Sequence, residues 1–509
     1  MKTTILFLIL LLALSALAGW ERTYGGSSFE RGNSVALTLD GGFIITGPTR
    51  SFGAGNYDFY LVKTDSIGDT MWTRTYGGAY DDWSMAVIQT EDSGYAIIGK
   101  TYTSGFGSDV YLIKTDSSGD TIWTKTYGGT GDSCESGYSI AQTYDGGYIL
   151  AGEKSLSFDT GRNNVYLIKT DSYGDTIWTR TYGGEQDECG YSVAQTLDSG
   201  YVVTGCTESF GAGERDLYLI KTNSLGDTIW TRAYGGTDND YGYSVAQTTD
   251  GGYIVAGKTY SFGVGTPDKE NVYLLKFDAF GDTVWTRTYG GTDSDYAWSL
   301  GLTTDGGYIL AGRTESFGAG YIDVYLIKTD ALGESLWTRT YGGSLSDRAK
   351  SVAQISDGGF IIAGFTNSYG IDSLDIYLIK TDSLGYTGIE ENPPSAKPEA
   401  FALSAWPNPF NGTVTISLSA IPYGPYGSSE NPEIEIFDIN GRRISVISSE
   451  GLQSDEKSPA DSEKISPFGR NDNGGKFIWQ PDPSLGSGVY LVRAMGAEQS
   501  TSKRIVYMK

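Results

Sequence analysis

Trp178-Thr179-Arg180-Thr181-Tyr182-Gly183-Gly184 recurs, with small changes, seven times in this chain of 509 residues. The tryptophans of the copies are Trp20, Trp72, Trp123, Trp178, Trp230, Trp285 and Trp337, spaced 51–55 residues apart. A fixed period of this length marks an array whose units bury their apolar faces on one another. Three more apolar runs follow each copy. In the unit opened by Trp178 they are Tyr191–Thr196, Gly200–Gly205 and Asp216–Thr222, separated by Asp-Ser-Gly and Asn-Ser-Leu-Gly turns. Residues of high β propensity fill these runs and none carries a helical period. Four short strands per unit predict a propeller blade.

The ends of the array fit a closed ring. If the three runs are strands a, b and c and the Trp strand is d, the chain starts with a lone d strand, Trp20–Gly25. Seven a-b-c sets follow, and the last, Ser351–Thr381, has no Trp strand of its own. The N-terminal strand is expected to complete that blade. An open solenoid would need polar caps, and none is visible.

Composition excludes several classes of function. The net charge is −25, which argues against nucleic acid and anionic membranes as partners. There is no histidine, which removes Ser-His and Cys-His pairs and histidine-ligated metals. No cofactor is expected beyond a calcium ion. The three cysteines, Cys134, Cys189 and Cys206, allow one bridge, and spacing does not choose the pair.

Residues 1–18 have the charged start, apolar run and small-residue end of a secretory signal peptide. No transmembrane segment is expected in the mature chain. A composition break near residue 386 leads into a Pro- and Glu-rich linker, 389–400. The propeller is assigned to 19–388. Strand-like runs then occur at Thr413–Leu418, Glu433–Asp438, Lys476–Trp479, Gly488–Ala494 and Lys503–Met508, around a polar insert at Ser448–Gly475. The fold class is therefore all-β: a seven-bladed β-propeller plus a small immunoglobulin-like β-sandwich at 401–509.

Asp171, Gly174 and Trp178, set around a tight turn, give the repeat a skeleton that resembles the tryptophan-docking repeat of pyrroloquinoline-quinone-type propellers. That resemblance implies docking of blade on blade through Trp and implies no quinone site. The same turn has a fainter likeness to the Asp-box of sialidases. In the tail, Trp406-Pro407-Asn408-Pro409-Phe410-Asn411, Ile434–Arg442, Ser487-Gly488-Val489-Tyr490 and Lys503-Arg504-Ile505-Val506 occur in the order found in the C-terminal sorting domain of the type IX secretion system. The tail resembles that family. The resemblance implies the type IX machinery as a partner, export across the outer membrane, and Pro407, Asn408, Pro409, Gly488, Tyr490, Lys503 and Arg504 as sorting-motif residues.

Alignment of the repeats gives an acidic column: Glu30, Asp82, Glu135, Glu188, Asp240, Asp295 and Asp347. One reading is a carboxylate ring at the channel mouth that holds a cation or an amino-bearing ligand. The other, which we favour, pairs each acid with the Arg or Lys of the Trp motif earlier in the same repeat. Asp238/Asp240 and Asp293/Asp295 have a D-x-D spacing suited to calcium but lack a full calcium-loop pattern. A lysine column, Lys63 to Lys380, reads as a solvated or paired surface row. Insertions fall at Gly131–Ser136, Phe158–Asn163 and Val264–Glu270, in d–a and b–c loops that share one face of a propeller. One-sided loop variation on a rigid frame points to binding. The expected function is a secreted or cell-surface, non-enzymatic propeller for an extracellular glycan or protein ligand. The alternatives are a carbohydrate-active enzyme using mouth carboxylates and a structural surface-layer component.

Overall fold

Strands b and c of each repeat are unbroken apolar runs because both their faces are covered. Phe43–Thr49 and Asp58–Thr64 are buried at every position, whereas the Trp strand Thr70–Tyr76 alternates between half-buried and exposed. The computed structural model describes residues 19–102, 107–129, 134–155, 162–266, 268–370 and 374–388, together with Ser487 and seven strands of the C-terminal part. Every regular element among the described residues is a strand. The chain divides into two compact units, 1–390 and 391–509.

The first unit is a seven-bladed propeller of four-stranded antiparallel sheets. Blade I spans 34–76, II 82–127, III 135–182, IV 188–234, V 240–289 and VI 295–341. Each runs a-b-c-d; in blade IV the strands are Glu188–Gln195, Tyr201–Thr207, Asp216–Thr222 and Thr228–Tyr234. The a strands neighbour one another around the axis and the d strands form the rim. Blade VII has Asp347–Gln354, Phe360–Thr366 and Asp375–Thr381, and its fourth strand is the N-terminal Trp20–Tyr24. Trp20 stands opposite Lys380 and Tyr24 opposite Ile376. The ring is thus closed by its two ends, as the missing last Trp strand requires.

The core lies between the sheets. Ile149, Ala151, Val165 and Leu167 of blade III pack against Val193, Tyr201, Val203, Tyr218 and Ile220 of blade IV. The Trp motif couples neighbouring blades through a glycine. Trp178 covers Gly226 in the c–d turn of the next blade, and a Cβ there would meet its ring at 2.8 Å. Tyr182 donates its hydroxyl to the carbonyl of the same glycine at 2.7 Å. The pattern repeats at every junction, including the closing one, where Trp20 covers Gly68 and the Tyr24 hydroxyl reaches its carbonyl at 2.7 Å. Gly226 also has φ +78°, so both its conformation and its lack of a side chain are needed.

The second unit contains a three-stranded sheet of Ala402–Trp406, Val414–Ser419 and Lys476–Trp479, and a four-stranded sheet of Arg443–Ile447, Glu433–Asp438, Gly488–Met495 and Ser500–Tyr507. Gly488 and Tyr490 lie on the Gly488–Met495 strand, and Lys503 and Arg504 on its antiparallel partner. The signal segment, Pro407-Asn408-Pro409 and the insert Ser448–Gly475 lie outside the described residues.

Trp20→Ala should lower stability by about 2–4 kcal/mol, somewhat less than for a fully buried aromatic. The exposed Ile122→Ala on another rim strand should change it by less than about 0.5 kcal/mol. Denaturant titration of both variants measures the contrast. Equal midpoints would show that the N-terminal strand does not hold the ring shut.

Candidate functional site

The repeated columns of polar residues are consumed by the frame. Glu30, Asp82, Glu135, Glu188, Asp240, Asp295 and Asp347 are all buried, six of them as the first residue of strand a and Glu30 four residues before it. Glu188 accepts from the Gly184 N–H at 2.9 Å, the Thr207 hydroxyl at 2.9 Å and the Ser209 N–H at 3.1 Å. Asp240 accepts from the Gly236 N–H at 2.8 Å and the Ser261 hydroxyl at 2.7 Å. Asp295 and Asp347 repeat this with Gly291 and Ser316, and with Gly343 and Ser368. Each of these carboxylates ties the d–a loop to the b–c loop of its blade. The expected pairing with the base of the Trp motif does not occur. The six arginines among those bases lie over their own Trp ring, and four of the seven bases reach an acid in the c–d turn of the next blade: Arg74–Asp120 at 3.5 Å, Lys125–Asp175 at 2.6 Å, Arg180–Asp227 at 3.6 Å and Arg287–Glu334 at 2.8 Å. The d strand lies on the rim, far from the start of strand a, so the two columns do not meet.

The lysine column is paired but is not a surface row. Lys63, Lys114, Lys169, Lys221, Lys276, Lys328 and Lys380 are buried. Their ammonium groups meet the a–b turn aspartates Asp40, Asp92, Asp145, Asp198, Asp250, Asp305 and Asp357 at 2.8–2.9 Å. The loop aromatics are turn packing: Phe210 lies 5.7 Å from Tyr218 and Phe317 5.7 Å from Tyr325. In the D-x-D pairs, Asp240 and Asp295 are buried in their clamps while Asp238 and Asp293 are exposed. Among the described residues no group of three or more Asp, Glu or Cys is placed to hold a metal ion.

A second set of buried acids, opening strand c, was not recognised from the sequence. Asp58 accepts from the Gly55 N–H at 2.8 Å and faces Asp82 of the next blade across Gly77. A Cβ on Gly77 would lie 2.2 Å from one carboxylate and 2.6 Å from the other. Asp323 and Asp347 face each other in the same way across Gly342. Burial pushes the carboxyls of Asp58, Asp82 and Asp323 up, and like charge across the glycine adds to this for Asp82 and Asp323. At two junctions the strand-c acid is replaced by Asn164 or Asn271.

Two columns at the start of strand a vary from blade to blade, and the a strands line the axis. Counted from the clamp acid of each blade, the first residue on is Arg31, Trp83, Ser136, Cys189, Tyr241, Tyr296 or Arg348. The third is Asn33, Met85, Tyr138, Tyr191, Tyr243, Trp298 or Lys350. The second, fourth and fifth residues stay small, Ser or Ala, and β-branched or Leu. In blades II–VII the third residue is the extra residue of a β-bulge, as where the register jumps from Gly190 to Ser192 past Tyr191. A bulge frees its residue from the ladder and re-aims the side chain. The facing strand b approaches so closely there that a Cβ on Gly205 would lie 1.7 Å from the Cys189 carbonyl oxygen.

These side chains touch from blade to blade around the axis. Tyr138, Tyr191, Tyr243 and Tyr296 form a chain of rings at 5.6, 5.3 and 6.4 Å, and Trp298 follows at 4.4 Å. The wall is chemically lopsided. Blade III contributes Glu153, which accepts from its own Tyr138 hydroxyl at 2.5 Å and from the Cys189 thiol of blade IV at 3.1 Å. Blades VI, VII and I contribute Arg313, Arg348, Lys350 and Arg31. The inserted loop of blade V brings in the buried Glu270, which pairs with Lys258 at 3.0 Å and Arg313 at 3.6 Å. This wall is the candidate site. The signal in the sequence was the contrast between two variable columns and their invariant neighbours.

Residues 404–466 match the family described as the Secretion system C-terminal sorting domain. The chain therefore carries a type IX sorting domain, which implies a secreted or outer-cell-surface protein handled by that machinery. Regulatory protein FlaEY of Caulobacter vibrioides is 29% identical over 201 residues, covering 34% of this chain and 20% of that protein. The chain thus spans about a fifth of that relative. Among solved structures, a puromycin hydrolase variant complexed with PGG aligns over 77% of this chain and 59% of its own, at 12% identity and TM-score 0.44. A bifunctional GH43-CE protein of Bacteroides eggerthii aligns over 83% and 57%, at 13% identity and TM-score 0.26. No helix among the described residues is long and apolar enough to cross a membrane.

The facing acids set a pH dependence. Asp58, Asp82 and Asp323 bind protons more tightly when folded than the unfolded value of about 3.9. Their contribution is full below that value and is lost as pH rises through the raised folded value. The turn acids Asp40, Asp250 and Asp305 run the other way. Burial pushes each up, but hydrogen bonds from Lys63, Lys276 and Lys328 and from neighbouring threonines outweigh it and take them to about 2. Their contribution is present above about 3.9 and is lost as pH falls towards 2. The melting temperature should therefore rise on acidification from pH 7 and fall again below the unfolded carboxylate value. Asp58→Asn and Asp323→Asn, which copy the native Asn junctions, should be neutral to stabilising by about 1 kcal/mol at pH 7. They should also flatten the rising limb. Calorimetry across pH checks both.

Proposed function

We propose that this is an exported propeller that holds an extracellular ligand, a glycan or a protein segment, in the axial mouth ringed by its inner strands, without transforming it. The observation that carries this reading is the distribution of variation. Seven copies of one frame keep their clamp acids, strand-b glycines, turn aspartates and docking tryptophans, and differ where side chains face the axis. A surface-layer brick would have no use for seven unlike inner strands. The aromatic arc from Tyr138 to Trp298 supplies ring faces and hydroxyls suited to a sugar or peptide. The clamp carboxylates expected in a glycosidase-like site are buried and bonded to loop N–H and hydroxyl groups.

On this reading the sorting tail delivers and the propeller binds. In a host with type IX secretion, a chain lacking residues 389–509 should fold and remain in the periplasm. Protease shaving of whole cells measures this, and surface exposure of the shortened chain would contradict it. A glycan array probed with the mature chain should give hits that Tyr191→Ala or Trp298→Ala weakens about tenfold or more, corresponding to about 1.4 kcal/mol. Release of shortened oligosaccharide from a polysaccharide panel would replace the binding reading with an enzymatic one.

A further inference from the structure

Arg348 and Lys350 stand on the inner strand of blade VII, and Arg31 on the segment that leads into the inner strand of blade I, where the ring closes. Arg313 projects from strand b of blade VI beside them. Among the described residues no acid lies within ion-pair distance of Arg31, Arg348 or Lys350, and the acids near Arg313, Glu270 and Glu315, are already paired at 3.6 and 3.2 Å. The four cations feel one another. The three arginines, together with burial, hold the Lys350 ammonium well below its ordinary pKa, burial being the larger cause. Burial and Arg348 likewise lower Arg31. In a chain of net charge −25 this is a local inversion of sign that the frame does not require.

The way these groups are held matters more than their number. Arg31 lies between the rings of Phe29 at 4.6 Å and Phe365 at 4.7 Å. Arg348 lies over Phe365 at 5.7 Å, Arg313 over Tyr296 at 4.5 Å and Lys350 over Trp298 at 3.0 Å. Ring contacts fix a cation without using its N–H donors. The Nε atoms of Arg31, Arg313 and Arg348 are buried and have no hydrogen-bond partner. Arg31 and Arg348, held by ring contacts with Nε unpaired and no described acid in ion-pair reach, offer donors of one charge to an oxyanion.

We propose that this corner of the axial wall binds a single oxyanion group, a carboxylate or a sulfate ester, borne by the extracellular ligand. This deepens the binding function proposed above and rests on it. The acidic surface disfavours polyanions at long range, whereas the cationic corner acts at short range. One anionic group on an otherwise neutral molecule satisfies both.

Mature full-length protein, titrated calorimetrically at low salt with sodium sulfate, glucuronate and glucose, tests this. Saturable binding of sulfate or glucuronate with none of glucose is expected, and which anion binds more tightly names the source. Lys350→Met, Arg348→Gln and Arg31→Gln should each weaken it about tenfold or more. The variants should melt at or above the parent temperature, because each relieves repulsion. Absence of anion binding, or binding unchanged in all three variants, would overturn the site. If neutral glycans bind on the array while these anions do not, the ligand-binding reading stands and the oxyanion inference alone falls.

A separate observation concerns two of the cysteines. Cys189 and Cys206 are directly opposite each other on strands a and b of blade IV. Their thiols interact: the Cys206 thiol is lowered chiefly by its hydrogen bond with Cys189, which is itself pushed up. Cys134 is exposed and lies in another blade's loop. We infer that Cys189 and Cys206 form the disulfide after export. The Sγ–Sγ bond replaces two S–H bonds, and two protons and two electrons pass to a disulfide-bearing oxidant by thiol–disulfide exchange. After incubation with oxidised glutathione, peptide mapping should show 189 linked to 206 and a thiol count reduced by two. Persistence of all three thiols, or linkage through Cys134, would overturn it.

Discussion

The docking of a tryptophan and a tyrosine onto a glycine turn of the next blade is the contact on which the rest depends. One blade alone buries only part of its apolar surface, since strands b and c need cover on both faces. The Trp178–Gly226 contact and the Tyr182 hydroxyl on the same carbonyl fix the angle and distance between neighbours. The angle is repeated seven times, so the ring must close. The chain closes it by lending its first strand to its last blade, where Trp20 and Tyr24 make the same contacts to Gly68. Covalent continuity then runs through the closing sheet from both ends.

Charge is used inside this frame in an unusual proportion. Seven lysines are buried along their stems with their ammonium groups on turn aspartates. Seven acids are buried with backbone and hydroxyl donors around them. Removing either member of such a set leaves a desolvated charge without its partner, and this is why the columns do not vary. The facing acids across Gly77, Gly235 and Gly342 are the exception, since like charge across the glycine opposes ionisation. Asn164 and Asn271 show that the fold accepts the neutral form.

With the frame accounted for, function has few places left. In blades II–VII the bulge in strand a frees one residue from the ladder, and that residue varies among the blades. The wall thus carries a tyrosine-rich arc, an acid and thiol sector and a cationic corner on one rigid support. A sorting domain in the C-terminal part implies an extracellular setting for this wall.

The repeat period, the strand count per unit, the orphan first strand and the landmarks of the tail were legible in the order of residues. Each follows from local periodicity or from the count of strands. The tail strands Ala402–Trp406 and Arg443–Ile447, of 5 residues each, were not anticipated. The partners of the charged columns could not be read, because they depend on which ends of the strands meet. Arg180 and Glu188 are neighbours in sequence but lie at the rim and near the axis, and Arg180 instead meets Asp227 of the next blade at 3.6 Å. The lysine row looked like surface because a lysine near a strand end, next to a turn, usually is. Packing of sheet on sheet buried its stem. The cationic corner brings together residues from the first and last blades, Arg31 and Arg348, more than 300 positions apart. Only closure of the ring makes them neighbours.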